Sequence, residues 1–173
     1  MKKRLLSLLL AVIMCVSLLA VPASAGISGA KTTSALNLRS GASTSKSIIM
    51  TMPSGAEVIV GMTQNGWCKV VYNNTVGYAS ADYLKTVSKV SGNFGTGTVS
   101  GSDVRMRSGA GTNSSVITTL DKGTKMSVIG ASGNWYEVSY NGKTGYMAAQ
   151  YVRITPSESY SAAKSGSVSG DSV

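Results

Sequence analysis

Leu38-Arg39-Ser40-Gly41-Ala42 returns 68 residues later as Met106-Arg107-Ser108-Gly109-Ala110, and the chain is organised around that return. At the same offset residues 36–84 and 104–152 align without a gap, and 18 of the 49 pairs are identical. Many identities are of types that turns and small cores need: Gly55/Gly123, Trp67/Trp135, Tyr72/Tyr140, Gly77/Gly145, Tyr78/Tyr146 and Tyr83/Tyr151. One small module is present twice, so function is to be read from the module.

Inside each copy the apolar residues alternate. Leu36 and Leu38 alternate with Asn37 and Arg39, as Val104 and Met106 do with Arg105 and Arg107. Period two with one apolar face predicts a half-buried strand. A Gly/Ser loop follows, then an apolar stretch from Ile48 to Met52 and a turn at Pro53-Ser54-Gly55. Ala56 to Met62 is a β-branched strand. Asn65-Gly66 and Gly133-Asn134 turn the chain into Trp67–Tyr72 and Trp135–Tyr140. Asn73-Asn74 and Asn141-Gly142 are the residues of a type I′ hairpin, whose two central positions need φ > 0. About five short strands in a module under 60 residues, without helical period, predict an all-β fold of two tandem small barrels or sandwiches.

The ends differ from the modules. Lys2, Lys3 and Arg4 precede an apolar run from Leu5 to Ala20, and Ala23-Ser24-Ala25 has the small-x-small form of a cleavage site. Residues 1–25 therefore read as a signal peptide, whose helix meets the membrane only before cleavage. Removing its three basic residues leaves 13 Lys and Arg against 7 acids, a net charge of +6. That charge suits a partner bearing carboxylates or phosphates. The basic residues are scattered and the chain is read as exported, so nucleic acid is not an expected partner. Residues 154–173 are mostly Ser, Gly and Ala and read as a disordered tail. Residues 85–97 read as a linker, which leaves module boundaries of 29–84 and 98–153. Cys68 is the sole cysteine after residue 25, so no internal disulfide forms; it reads as a small buried apolar side chain or an exposed thiol.

The motifs now in view resemble the bacterial SH3 domain family (SH3b). Its pattern runs L-N-[VL]-R-S-G, then a G-T-x-[VL]-x-V strand, then G-W-x-K-V and Y-N-G-K-x-G-Y, with a closing Y-[LV]. Leu36-Asn37-Leu38-Arg39-Ser40-Gly41 and Gly66-Trp67-Cys68-Lys69-Val70 carry it in the first copy. Gly123-Thr124-Lys125-Met126-Ser127-Val128 and Tyr140-Asn141-Gly142-Lys143-Thr144-Gly145-Tyr146 carry it in the second. One departure is Ala42 and Ala110 where the family commonly has Pro. The resemblance implies an SH3-like β-barrel in each copy and a cell-wall targeting role, with peptidoglycan peptides as ligand.

No enzyme chemistry stands out. The chain has no His, which removes Ser-His triads, Cys-His peptidases and His-ligated zinc from this sequence. Of the seven acids, Glu57, Asp82, Asp121 and Glu137 lie in the repeats without an acidic counterpart. Asp103 aligns with Ala35, and Glu158 and Asp171 lie in the tail, so no glycosidase pair suggests itself. Ser43-Thr44-Ser45-Lys46 and Lys143-Thr144-Gly145 match β-lactamase signatures in letters only, because one sits in a Gly/Ser loop and the other follows a hairpin. No cofactor or metal is expected.

Six residues are candidates for binding. Alternation places Trp67 and Trp135 on the polar face of their strands, either as flat platforms for a peptide or sugar or as covers for a barrel edge. Arg39 and Arg107 point outward beside a loop, to clamp an anion or to bond loop carbonyls. Tyr78 and Tyr146 read mainly as core, with hydroxyls reaching toward the groove. The expected function is an exported, secreted and wall-associated, non-catalytic protein that binds peptidoglycan bivalently, with teichoic acids as a further wall partner. The alternative is a scaffold or regulatory partner of a separate wall hydrolase or other protein.

Overall fold

The computed structural model describes residues 26–155, and the signal-peptide reading and all of the tail beyond Thr155 lie outside them. The described chain is all-β, with two seven-stranded antiparallel sheets. The first holds β1 (Ser28–Thr32), β2 (Leu36–Arg39), β3 (Ile48–Met52), β4 (Glu57–Gln64), β5 (Trp67–Tyr72), β6 (Thr75–Ser80) and β7 (Leu84–Val87). The second holds β8 (Lys89–Val99), β9 (Val104–Arg107), β10 (Val116–Leu120), β11 (Lys125–Ser132), β12 (Trp135–Tyr140), β13 (Lys143–Ala148) and β14 (Val152–Thr155). Both sheets run in the same order, β3-β2-β6-β5-β4-β1-β7 and β10-β9-β13-β12-β11-β8-β14.

Alternation decides which face of each sheet is buried. In β5 Cys68 and Val70 are buried while Lys69 is exposed, and in β12 Tyr136 and Val138 are buried. Residues from β1 to β6 meet in one cluster that includes Ala30, Leu38, Met52, Val58, Val70 and Ala79, so the sheet curls around its own apolar face. Each such large apolar side chain contributes roughly 1.5–3 kcal/mol on burial. The hairpins between β5 and β6 and between β12 and β13 have the expected geometry. Asn73 and Asn74 have φ of 43° and 60°, and Asn141 and Gly142 have φ of 48° and 74°. Gly77 and Gly145 are required for a different reason. A Cβ at Gly77 would lie 2.8 Å from the Arg39 carbonyl oxygen, and one at Gly145 2.7 Å from that of Arg107. These glycines let β6 and β13 touch β2 and β9, where each contact is one residue pair, Arg39 with Tyr78 and Arg107 with Tyr146.

Seven strands per sheet exceed the five expected, because residues 28–32, the stretch read as linker and residues 152–155 are also strands. β1 lies between β4 and β7, and β8 takes the equivalent place between β11 and β14. The 85–97 stretch contains most of β7 and β8 and is packed between the modules. Phe94, the sole Phe of the chain, is 1% exposed. It belongs to a cluster with Val90 and the second module's core, which also takes in Ile59 from the first. Ile27, Val71 and Val87 pack against the same cluster. Polar contacts complete the junction. The Ser91 N–H donates to Glu57 Oε2 at 2.7 Å, Lys31 pairs with Glu57 at 2.9 Å, and the Asn74 N–H donates to the Asn93 carbonyl at 3.0 Å. Ile154 and Thr155, placed in the tail by composition, close the second sheet as the end of β14.

Candidate functional site

The outer face of the second sheet carries a groove of about 430 Å³. Its position follows from strand register. Trp135 pairs with Ala148 on β13, and Tyr146 on the same strand pairs with Arg107, so Trp135 and Arg107 share the face away from the core. Trp135 and Tyr151 form aromatic walls, and Arg105, Arg107, Asp103 and Gln150 supply the polar lining. Trp135 is half-buried, and Tyr151 is 43% exposed. Ala149–Tyr151 is a single 3-10 turn that carries Gln150 and Tyr151 to the rim. Asp103 sits in the left-handed region at φ 54°, just before β9 begins.

The two arginines identified by repetition are tied to their loops. Arg39 Nη1 donates to the carbonyls of Thr44 at 2.9 Å and Lys46 at 2.8 Å. Arg107 Nη1 donates to the Ser114 carbonyl at 2.7 Å, the position equivalent to Lys46. Of the two readings left open, the loop-carbonyl bond is present in both copies. Arg107 also lines the groove together with Trp135.

Tyr78 and Tyr146 differ from the mainly-core reading. Both are half-buried and alternate with the buried Gly77 and Ala79, or Gly145 and Met147, so they stand on the outer face. Tyr146 leans away from the groove toward the junction. Lys89 Nζ donates to its hydroxyl at 3.3 Å, lies 5.9 Å from its ring centroid and pairs with Glu137 at 3.0 Å. The hydrogen bond from Lys89 to Glu137, with that to Tyr146, holds the ammonium above its ordinary pKa. The buried hydroxyl that counts in the core is Tyr136, whose pKa burial pushes up to about 12. Cys68, its counterpart, is buried, with Sγ 3.1 Å from the Thr63 hydroxyl.

In the first module Trp67 is half-buried at the start of β5, paired with Gln64 and Ser80. At the 68-residue offset, the positions of Asp103, Arg105 and Gln150 hold Ala35, Asn37 and Asp82. Arg105, Asp103 and Gln150 escaped the search for binding residues because that search looked for identities between the copies. The signal that finds them is the reverse, positions of one face that differ between copies of one scaffold. Among the described residues no group of acids and cysteines is placed to hold a metal ion.

The site therefore offers an aromatic wall, a cationic rim and one carboxylate on a fixed sheet, which suits binding of a short polar chain. The putative N-acetylmuramoyl-L-alanine amidase YrvJ of Bacillus subtilis is 30% identical over 145 residues, covering 78% of this chain and 28% of that protein. The probable endopeptidase p60 of Listeria welshimeri is 45% identical over 56 residues, covering 31% of this chain and 11% of that protein. The chain thus spans less than a third of the length of these relatives. Among solved structures, NlpC2 from Trichomonas vaginalis is similar over 76% of this chain and 49% of that one, with 12% identity and a TM-score of 0.34. The pattern of the bacterial SH3 domain matches twice, over residues 34–85 and 102–153. With both copies matched over more than half of its length, the chain belongs to the bacterial SH3 domain family.

Proposed function

We propose that this is an exported, non-catalytic cell-wall-binding protein whose two modules recognise peptidoglycan peptides together. The observation that carries the reading is the groove of the second module, where Trp135 and Tyr151 flank Arg105 and Asp103 on an outer sheet face. An indole and a phenol flanking a groove hold an extended peptide by its flat amides and small side chains. The guanidinium and carboxylate at the rim match the carboxylates and amines that such a peptide carries. The relatives named as an amidase and an endopeptidase support a wall-related role, since this chain matches them over bacterial SH3 modules. Two linked sites on a polymeric lattice gain avidity with no new contact.

Co-sedimentation of the purified protein with purified sacculi, with and without teichoic acid and at low and high salt, tests the reading. Binding is expected to survive teichoic acid removal and high salt, and Trp135→Ala is expected to weaken it about fivefold or more, the scale of one stacking contact of 1–3 kcal/mol. Binding that depends on teichoic acid and disappears at high salt reduces the interaction to net charge. Absence of binding under every condition removes the wall reading in favour of a protein partner such as a separate hydrolase.

A further inference from the structure

The two modules share one strand order but differ in charge at the positions that line the groove of the second. In the second module Arg105 is exposed on β9 and lines the groove beside Trp135. Among the described residues no carboxylate lies within salt-bridge distance of it. Arg107, matched by Arg39 in the first module, and Asp103, matched by Ala35, complete the charges of the lining. In the first module the place of Arg105 is Asn37, whose Oδ1 accepts a hydrogen bond from the Thr51 hydroxyl at 2.8 Å, across the strand pair. That amide carries no charge and is engaged by its neighbour. The place of Gln150 is Asp82, so the first module gains an acid where the second has a neutral amide. The second set of positions carries two guanidiniums and one carboxylate and the first carries one of each, so a ligand carboxylate is favoured at the second.

We propose that the modules are not interchangeable: the second takes a peptide with a free carboxylate, held by Arg105, and the first, with Asn37 in that place, does not select for that carboxylate. Arg105 is then the specificity-determining residue of the pair. A guanidinium and a carboxylate form charge-assisted hydrogen bonds, and few other side chains reproduce that fork. The inference rests on the wall-peptide reading above, and its test separates the two.

The experiment is co-sedimentation of the full protein with sacculi that carry teichoic acid and with teichoic-acid-free sacculi, the latter untreated or with their free carboxyl groups converted to amides. Arg105→Asn, which installs the first module's residue, is expected to weaken binding to untreated sacculi about tenfold, the scale of a hydrogen bond to a charged group. Arg105→Lys is expected to recover part of that loss, and amidation is expected to weaken the unaltered protein to the level of Arg105→Asn without weakening the variant further. Thermal melts of the variants are expected to match the unaltered protein, because Arg105 is exposed. If the protein binds but Arg105→Asn binds equally well, or amidation lowers both alike, the carboxylate assignment is overturned and the wall reading stands. If binding requires teichoic acid, the anion is polymer phosphate and the assignment is likewise overturned. If the protein fails to bind any sacculi, both readings fall.

Discussion

At the scale of residues, the repeated arginines have a structural role that both copies share. Arg39 and Arg107 are identical because each ties down the loop after its strand. Replacing Arg107 by Leu is expected to cost about 1–3 kcal/mol, the range for a lost hydrogen bond to a charged group. Urea denaturation measures that loss, and faster amide exchange in residues 108–115 locates it. Gly145→Ala forces a Cβ to 2.7 Å from the Arg107 carbonyl and is expected to destabilise by roughly 1–3 kcal/mol, with the strand contact at Tyr146 the first to loosen. The candidate site was half legible at this scale. Trp135 and Arg107 were found by repetition and lie in the groove, whereas Tyr146 was found by repetition and lies outside it. Arg105 and Gln150 were hidden because one copy alone carries them.

At the scale of elements, β2 to β6 and their counterparts were readable because alternation and Asn-rich turns agree locally. β8 was not, for a physical reason. Its register shifts where Gly95 pairs with Val128 and Ser91 with Gly130, so two or more residues bulge and period two is lost. Val90 and Phe94 are its sole large apolar residues before Val99, scattered among Gly, Ser and Thr. The missed signal lay in the other copy's register. On the outer face of the first module Ile59 pairs with Val71, and at the same place in the second Ser127 pairs with Ser139. An apolar pair on one copy and a serine pair on the other marks the face that is covered. Phe94→Ala is accordingly expected to cost about 3–5 kcal/mol despite lying in a segment of linker composition, as thermal unfolding will measure. Glu57 supplies the polar side of this junction. The Ser91 N–H, and then Lys31, hold its carboxyl below the usual 4.5. A depressed carboxylate pKa contributes stability that is present above the unfolded value and lost as pH falls through the folded one. Stability is expected to fall on acidification below about 4.5, and Glu57→Gln to flatten part of that fall, by a small amount because the pair is solvent-exposed.

At the scale of the molecule, the junction makes two modules behave as one body. Ile59 of the first module is 1% exposed and sits in the cluster that contains the second module's core. Calorimetry of the unaltered protein is therefore expected to show one cooperative transition. Ile59→Ser, which copies the second module's residue, is expected to split it into two, and a single transition in that variant would show that the polar contacts alone couple the modules. A fixed arrangement matters for binding, because linked sites gain avidity only where their spacing fits the lattice. The proposed binding depends on the groove beside Trp135 holding a wall peptide. Its most direct test is a nuclear magnetic resonance titration of the isotope-labelled protein with soluble peptides released from purified peptidoglycan. The account predicts saturable shifts of the Trp135 indole N–H and of the amides of residues 103–107 and 150–151. Shifts confined to other surfaces, or none at peptide concentrations that saturate sacculus binding, would contradict it.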